Sequence, residues 1–364
     1  MKVPYRDLRV TDPNRKQELL RVVEKILSHG KIYLGPEHDQ FEKEIAEYCQ
    51  TQFAVGVSSG TDALYFALRC LDLGPGDEVI LPPLSWVASL NAVFLCGATP
   101  VFVDITEDLN INAELIHEAI TPKTKAILPI HFTGKLCDIK KINAIAEQHG
   151  LFVVEDAAQS FGAELDGEKA GSFGTLGCLS MNPMKLLCAY GEAGVVVTDN
   201  EQLAKRIKSL RHAGTINKDD CHEPSFNGRL DTIQAGMLSI NLKYLQSKLD
   251  RLKAIATHYN ENLKHLVICP QDPSTNHVYY TYTILTQRRD ELKEYLASKN
   301  IETQIQHPIL MPNQTAYRHL PRYNIPVAEK VVDQILCLPN HEHLSDEQVE
   351  YVIACIKEFL GKDQ

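Results

Sequence analysis

The stretch LFVVEDAAQSFGA, residues 151–163, decides how the rest of the chain is read. An apolar run leads straight into Glu155 and Asp156, and small and polar residues follow. A short apolar run bounded in this way reads as a buried strand. Asp156 then stands at the carboxyl end of that strand. A carboxylate there must be paired or neutralised, because burying a lone charge is expensive. An Asp capping the next turn would satisfy that demand, and so would an Asp holding a protonated ring nitrogen.

Working outward, AVGVSS (54–59), EVILPP (78–83), PVFVDI (100–105), KAILPIHF (125–132) and GVVVTD (194–199) also read as strands. Between them, residues 61–71, 85–95, 112–120 and 138–148 repeat apolar residues at three- and four-residue spacing, as helices do. Strand–helix alternation predicts an α/β fold with a largely parallel sheet covered on both faces. Ligands of such sheets collect beyond the carboxyl ends of the strands. This singles out Ser59, Gly60, Thr61, Ser85, Trp86, Asp104, His131, Asp156 and Gln159.

From about Leu242 the character changes. Residues 243–266 read as a long amphipathic helix, 277–285 as a strand, and 290–301 and 345–360 as helices. The expectation is a large domain over 1–242, including an N-terminal segment, and a smaller α/β domain over 243–364. A chain of 364 residues suits two domains.

Composition narrows the function. Lys plus Arg number 37 against 47 Asp plus Glu, a net charge of −10, and no basic stripe is present, so nucleic acid is not an expected partner. No apolar run approaches the ~20 residues that span a bilayer, and the polar N-terminus lacks a secretory h-region. The ten cysteines are scattered without CxxC spacing, which suggests neither a zinc site nor a redox pair and fits a reducing cytoplasm. The histidines show no HxxxH spacing, so no metal is expected.

Two further segments could carry chemistry. In VSSGTDALYFAL (57–68) a strand ends, Gly60 permits a tight turn, and a helix begins near Asp62. Its first amides and the Thr61 hydroxyl suit a phosphate, although an ordinary capped turn has the same pattern. In GCLSMNPMKLLCAYGEAGVVVTD (177–199), Lys185 lies among apolar residues between Pro183 and a glycine-rich turn. Desolvation there would lower its pKa and make it a competent amine nucleophile, whereas a surface lysine would simply reach for water. Trp86, the only tryptophan, could stack on a planar cofactor or fill an interface. His131 reads more simply as a structural residue.

In order along the chain, YLGPEHDQFEKEIAEY, SSGTDAL, GDEVILPPLSWVASLNAV, GATPVFVDI, KAILPIHFTGKLCDI, VVEDAAQSFGA, SMNPMKLLCAYGEAGVVVTD, LRHAGT, FNGRLDTIQAGML and LPNHEHLSDEQVEYV are present. This series resembles the nucleotide-sugar aminotransferases of DegT/StrS type, fold-type I enzymes dependent on pyridoxal 5'-phosphate (PLP). The resemblance implies a seven-stranded sheet and a cofactor cycling between PLP and its pyridoxamine form (PMP). It implies that Lys185 carries the cofactor as a Schiff base and acts as general acid and base. Asp156 would hold the pyridinium proton, Gln159 would lie near the ring hydroxyl, and Trp86 would stack on the ring. Gly60, Thr61 and Ser180 would bind the phosphate, which Asn227 would reach from the second subunit of a homodimer. The implied reaction moves an amino group from L-glutamate to a 3-keto or 4-keto hexose on a nucleotide, for amino-sugar and surface-polysaccharide synthesis. A small phosphorylated ketone or an octulosonate is the alternative acceptor. A PMP-dependent sugar dehydratase, in which the lysine is replaced, and a non-catalytic homologue both fit Lys185 poorly. The chain departs from the family pattern at Met184 and Glu192, and in IETQIQHPILMPNQTAY (301–317), where a GIHYP-type motif is usual.

Overall fold

The computed structural model describes residues 1–217, 219–270 and 276–361. Two helices, α1 (Pro13–His29) and α2 (Pro36–Cys49), precede the first strand. The main α/β unit then runs β1 (Phe53–Val57), α3 (Gly60–Arg69), β2 (Glu78–Leu81), α4 (Ala88–Leu95), β3 (Thr99–Phe102), α5 (Ala113–Ala119), β4 (Thr124–Ile127), α6 (Ile139–His149) and β5 (Phe152–Asp156). A small hairpin, β6 (Glu164–Leu165) and β7 (Glu168–Lys169), leads to β8 (Leu176–Ser180), β9 (Gly194–Thr198) and α7 (Glu201–Leu210). A second hairpin, β10 (Thr215–Ile216) and β11 (Asp220–Cys221), precedes α8 (Thr232–Lys243) and α9 (Leu245–Leu263). The chain ends with β12 (Tyr282–Leu285), α10 (Arg289–Ser298), α11 (Pro326–Val331), β13 (Ile335–Leu338) and α12 (Asp346–Leu360).

The central sheet has seven strands in the order β1-β9-β8-β5-β4-β2-β3. All pairings are parallel except those of β9, which runs against both β1 and β8. Six of these strands are legible in the sequence. The seventh, β8, hides in GTLGCLSM, where glycines interrupt the apolar pattern. Gly177 is there because a Cβ would fall 2.0 Å from the Gly171 carbonyl oxygen.

Side-chain alternation along β5 sorts its residues between two cores. Val154 packs with Leu64, Leu68 and Leu90 of α3 and α4, whereas Val153 packs with Ile142 and Ile145 of α6. Period-2 geometry therefore sends Asp156 to the α3/α4 face and Glu155 to the α6 face.

Residues 277–285 do not form the full strand expected. Only Tyr282–Leu285 pairs, with β13. Tyr279 has φ +51°, and His277 and Val278 instead bond along residues 134–135. A third core gathers Ile255, Tyr259 and Leu263 of α9 with Leu292, Val352 and Ile356. Val3 belongs to it too, through a parallel bridge to Ile301.

Candidate active site

A cavity of about 770 Å³ opens at the carboxyl ends of β1, β2, β5 and β8. Ser59, Gly60, Trp86, Asp156, Ser180 and Lys185 all line it. One topological feature places the lysine. Because β9 returns antiparallel to β8, the connection between them needs no crossover helix and stays at the cavity as a loop. Leu186 and Leu187, 4% and 1% exposed, anchor this loop in the core. Lys185 N donates to Asn182 O at 2.8 Å, and Met184 N donates to Asn182 Oδ1 at 3.0 Å. Lys185 Nζ lies 4.7 Å from the centroid of the Tyr280 ring.

Asp156 is buried, and its carboxylate has two partners. Oδ2 accepts from Ser89 Oγ at 2.7 Å and Oδ1 from Ala158 N at 3.2 Å. A carboxylate offers about four acceptor positions, so part of its capacity remains toward the cavity. Glu155, one residue earlier and fully buried, differs. It accepts from Gly174 N at 2.6 Å and Gly171 N at 3.0 Å, and pairs with His131 Nε2 at 2.9 Å. His131 is thus a structural partner on the far face of the sheet. Asp104 is likewise structural, accepting from Val327 N and Ala328 N at the start of α11.

The helix after β1 begins at Gly60, two residues before the expected start. Ser59 Oγ caps it by accepting from Asp62 N at 3.1 Å. The amides of its first turn have no intrahelical acceptors and face the cavity with the positive end of the helix dipole. A Cβ on Gly60 would meet Ser180 Cβ at 2.5 Å, and one on Gly194 would meet Ser59 O at 2.2 Å. Glycine at both positions lets three chain segments close into one cradle.

Gln159 is buried, and its Oε1 accepts from Thr133 N at 3.0 Å. Trp86 is 61% exposed and tilts against His307, with ring centroids 5.9 Å apart. His307 is a non-glycine residue at φ +58°. Burial, reinforced by the charge of Lys185, pushes its imidazole down to about 4. Asn227 lies apart. It is exposed, bridges His212 through the backbone, and is not among the residues lining the cavity.

Sequence reasoning missed Tyr5 and Arg6, which enter the cavity from the N-terminal segment, and the amides Gln304, Gln306 and Gln314. The first pair is placed by the Val3–Ile301 bridge, a contact across the whole chain that leaves no local signal. The amides lie in the 301–317 stretch whose departure from the family pattern was the only available hint.

The residues present fit a PLP-type cofactor. A buried acid with spare acceptor capacity, an amide cradle suited to phosphate, a flat indole and a lysine converge on one cavity. Comparison with known proteins agrees. The family model described as DegT/DnrJ/EryC1/StrS aminotransferase family matches residues 13–357. The dTDP-3-amino-3,4,6-trideoxy-alpha-D-glucose transaminase of Streptomyces venezuelae is 38% identical, covering 99% of this chain and 97% of its own. The dTDP-3-amino-3,6-dideoxy-alpha-D-galactopyranose transaminase of Aneurinibacillus thermoaerophilus is 36% identical over 98% and 99%. The crystal structure of NtdA from Bacillus subtilis with bound cofactor PMP superposes with a TM-score of 0.93 at 31% identity, covering 99% of this chain and 85% of that one. The chain therefore belongs to the DegT/DnrJ/EryC1/StrS aminotransferase family.

Proposed function

We propose that this chain transfers an amino group from L-glutamate to a 3-keto sugar carried on a nucleotide, using PLP and PMP. The observation that carries the reading is the meeting of Lys185, the partly satisfied Asp156 and the Gly60–Ser180 cradle in one cavity. Amination at C3 follows the two sugar transaminases above, whose names both specify a 3-amino product. A cavity of about 770 Å³ lies within the ~300–1,000 Å³ usual for cofactor and ligand sites.

When bound, the cofactor supplies an electron sink for the reacting carbon. The chain's own residues do the rest. Asp156 holds the ring nitrogen, Gln159 stands near the ring hydroxyl, and Trp86 covers the ring face. Gly60, Thr61 and Ser180 hold the phosphate. Lys185 anchors the cofactor and moves the proton at the reacting carbon. The partner subunit's Asn227 completes the phosphate site. Support for a homodimer comes from the exposed Tyr33, Tyr190 and Phe226, at 49%, 38% and 42% exposure, the last beside Asn227. Aromatic residues are enriched at the cores of protein interfaces.

The division into domains falls near 242/243, where α8 gives way to α9. The separate core around Tyr259 and Val352 supports a second unit, while Leu245, Leu249 and Leu252 at the start of α9 pack with the main α/β unit. The amino sugar would pass to surface polysaccharide, and ten unpaired cysteines support a reducing, cytoplasmic setting. No helix among the described residues is long and apolar enough to cross a membrane.

The test is a panel of keto-sugar nucleotides incubated with glutamate and the PLP-loaded protein, read by mass. A product bearing the amine at C3 is expected. Amination only of a phosphorylated ketone or an octulosonate would replace the nucleotide sugar as acceptor.

A further inference from the structure

Beside the main cavity, a smaller hollow of about 150 Å³ lies between the N-terminal segment and the Lys185 loop. Arg6, Met184 and Lys185 line both spaces, and Arg15 lines the smaller one. Its other charges are matched. Arg9 pairs with Asp7 at 2.6 Å and Lys248 with Glu342 at 3.4 Å. Arg6 and Arg15 have no carboxylate partner among the described residues. Arg6 Nη1 donates to Asn340 O at 3.1 Å and Nη2 to Tyr280 O. Arg15 Nε donates to Asn241 Oδ1 at 3.0 Å, and its guanidinium lies over Tyr244. Arg15 also sits in the first turn of α1, where the helix dipole disfavours a cation; the nearby N-cap Asp12 is engaged with Asn14 N at 2.8 Å. Two guanidinium groups held by neutral acceptors around one hollow are arranged for an anion from outside the chain.

We propose that Arg6, assisted by Arg15, binds the distal carboxylate of a dicarboxylic amino donor, and so sets the enzyme's preference for glutamate. This rests on the amino-transfer reading above. Size excludes the other substrate from the hollow, since the space lies well below the ~300 Å³ at which sites for drug-sized ligands begin. Reach fits the donor. Lys185 Nζ and Arg6 Cζ lie 4.7 and 5.1 Å from the centroid of the same Tyr280 ring. With carbon bonds of ~1.5 Å, the amine and distal carboxyl carbon of glutamate are roughly 5 Å apart. The two groups are therefore no more than about 10 Å apart, a span that glutamate and a hydrogen bond of ~2.8 Å to the guanidinium can bridge. A donor with no second carboxylate, such as alanine, leaves the hollow unused.

The experiment uses the PLP-loaded enzyme and glutarate, which has the two carboxylates but no amine. Calorimetry should show glutarate binding at least tenfold more weakly to Arg6→Gln than to the original protein. A smaller loss is expected in Arg15→Gln, with partial recovery in Arg6→Lys. In the donor half-reaction, followed by bleaching of the cofactor band, kcat/KM for glutamate relative to alanine should fall at least tenfold in Arg6→Gln. Equal glutarate binding in the original and Arg6→Gln proteins, or an unaltered glutamate-to-alanine ratio, overturns the subsite. If no amino acid bleaches the original protein while glutarate binding still depends on Arg6, the amino-transfer reading fails and the anion subsite stands.

Discussion

Glu155 and Asp156 are neighbours in sequence and opposites in use. Glu155 points to the α6 side of the sheet and meets two backbone amides and His131, so its acceptor capacity is taken up within the fold. Asp156 points to the α3/α4 side and meets one hydroxyl and one amide, with the rest of its capacity turned to the cavity. Buried acids divide by what they still lack. A satisfied one holds loops together, and a partly satisfied one is set up for a ligand.

Removing the amine on the cavity side should have the largest effect. Lys185→Ala should cut amino transfer by on the order of a thousandfold or more, in line with losing a proton-transfer group. Peptide mapping after borohydride reduction should find the pyridoxyl label on Lys185 in the original protein, and a label elsewhere would displace it from this role. Asp156→Asn should keep PLP but lose about a hundredfold in kcat, as expected for an electrostatic contact worth ~3 kcal/mol in the transition state. Near-normal turnover would make Asp156 as structural as its neighbour.

Glu155→Gln should show the reverse pattern. Breaking a buried ion pair by changing one partner costs ~3 kcal/mol or more, so Tm should fall by several degrees. The kcat of the folded fraction should stay within about twofold, and a collapse in kcat without loss of Tm would abolish the contrast. A fourfold effect is expected from mixing Lys185→Ala and Asn227→Ala subunits. About half the refolded dimers are mixed, and each has one intact site of two, so activity should return to roughly a quarter of the original. No recovery on mixing would remove the partner subunit's Asn227 from the site.

The smallest effect concerns acid stability. His307 has an ordinary value of 6.5 and lies near 4 in the folded chain. The unfolded chain therefore takes up this proton first as pH falls. The contribution of neutral His307 is complete above about pH 6.5 and is lost progressively toward pH 4. On the order of 1 to 3 kcal/mol is involved, and His307→Gln should flatten the fall of Tm across that window.

The period-2 and period-3.6 patterns made most of the sheet and its helices legible, because each burial face is written locally. β8 was hidden because Gly177 answers to the Gly171 backbone rather than to any side-chain pattern. The acid and the glycine of the cradle could be read because each follows a recognisable strand end, and the lysine because it lies among apolar residues ahead of a glycine-rich turn. Their division of labour could not, since nothing in VVED says which acid has found its partners. Arg6 and the amides of residues 304–314 stayed invisible for a different reason: contacts between residues hundreds of positions apart bring them in.

The N-terminal segment has a practical side. Val3 is fully buried against the C-terminal core, and Tyr5 and Arg6 line the cavity. An affinity tag fused ahead of Met1 would be tethered a handful of residues from the substrate entrance, where it could compete with substrate or pull Val3 from its seat. A tag at the opposite end would follow α12, none of whose residues lines the cavity. Kinetic values from the two versions of the protein should be compared before either is taken as native.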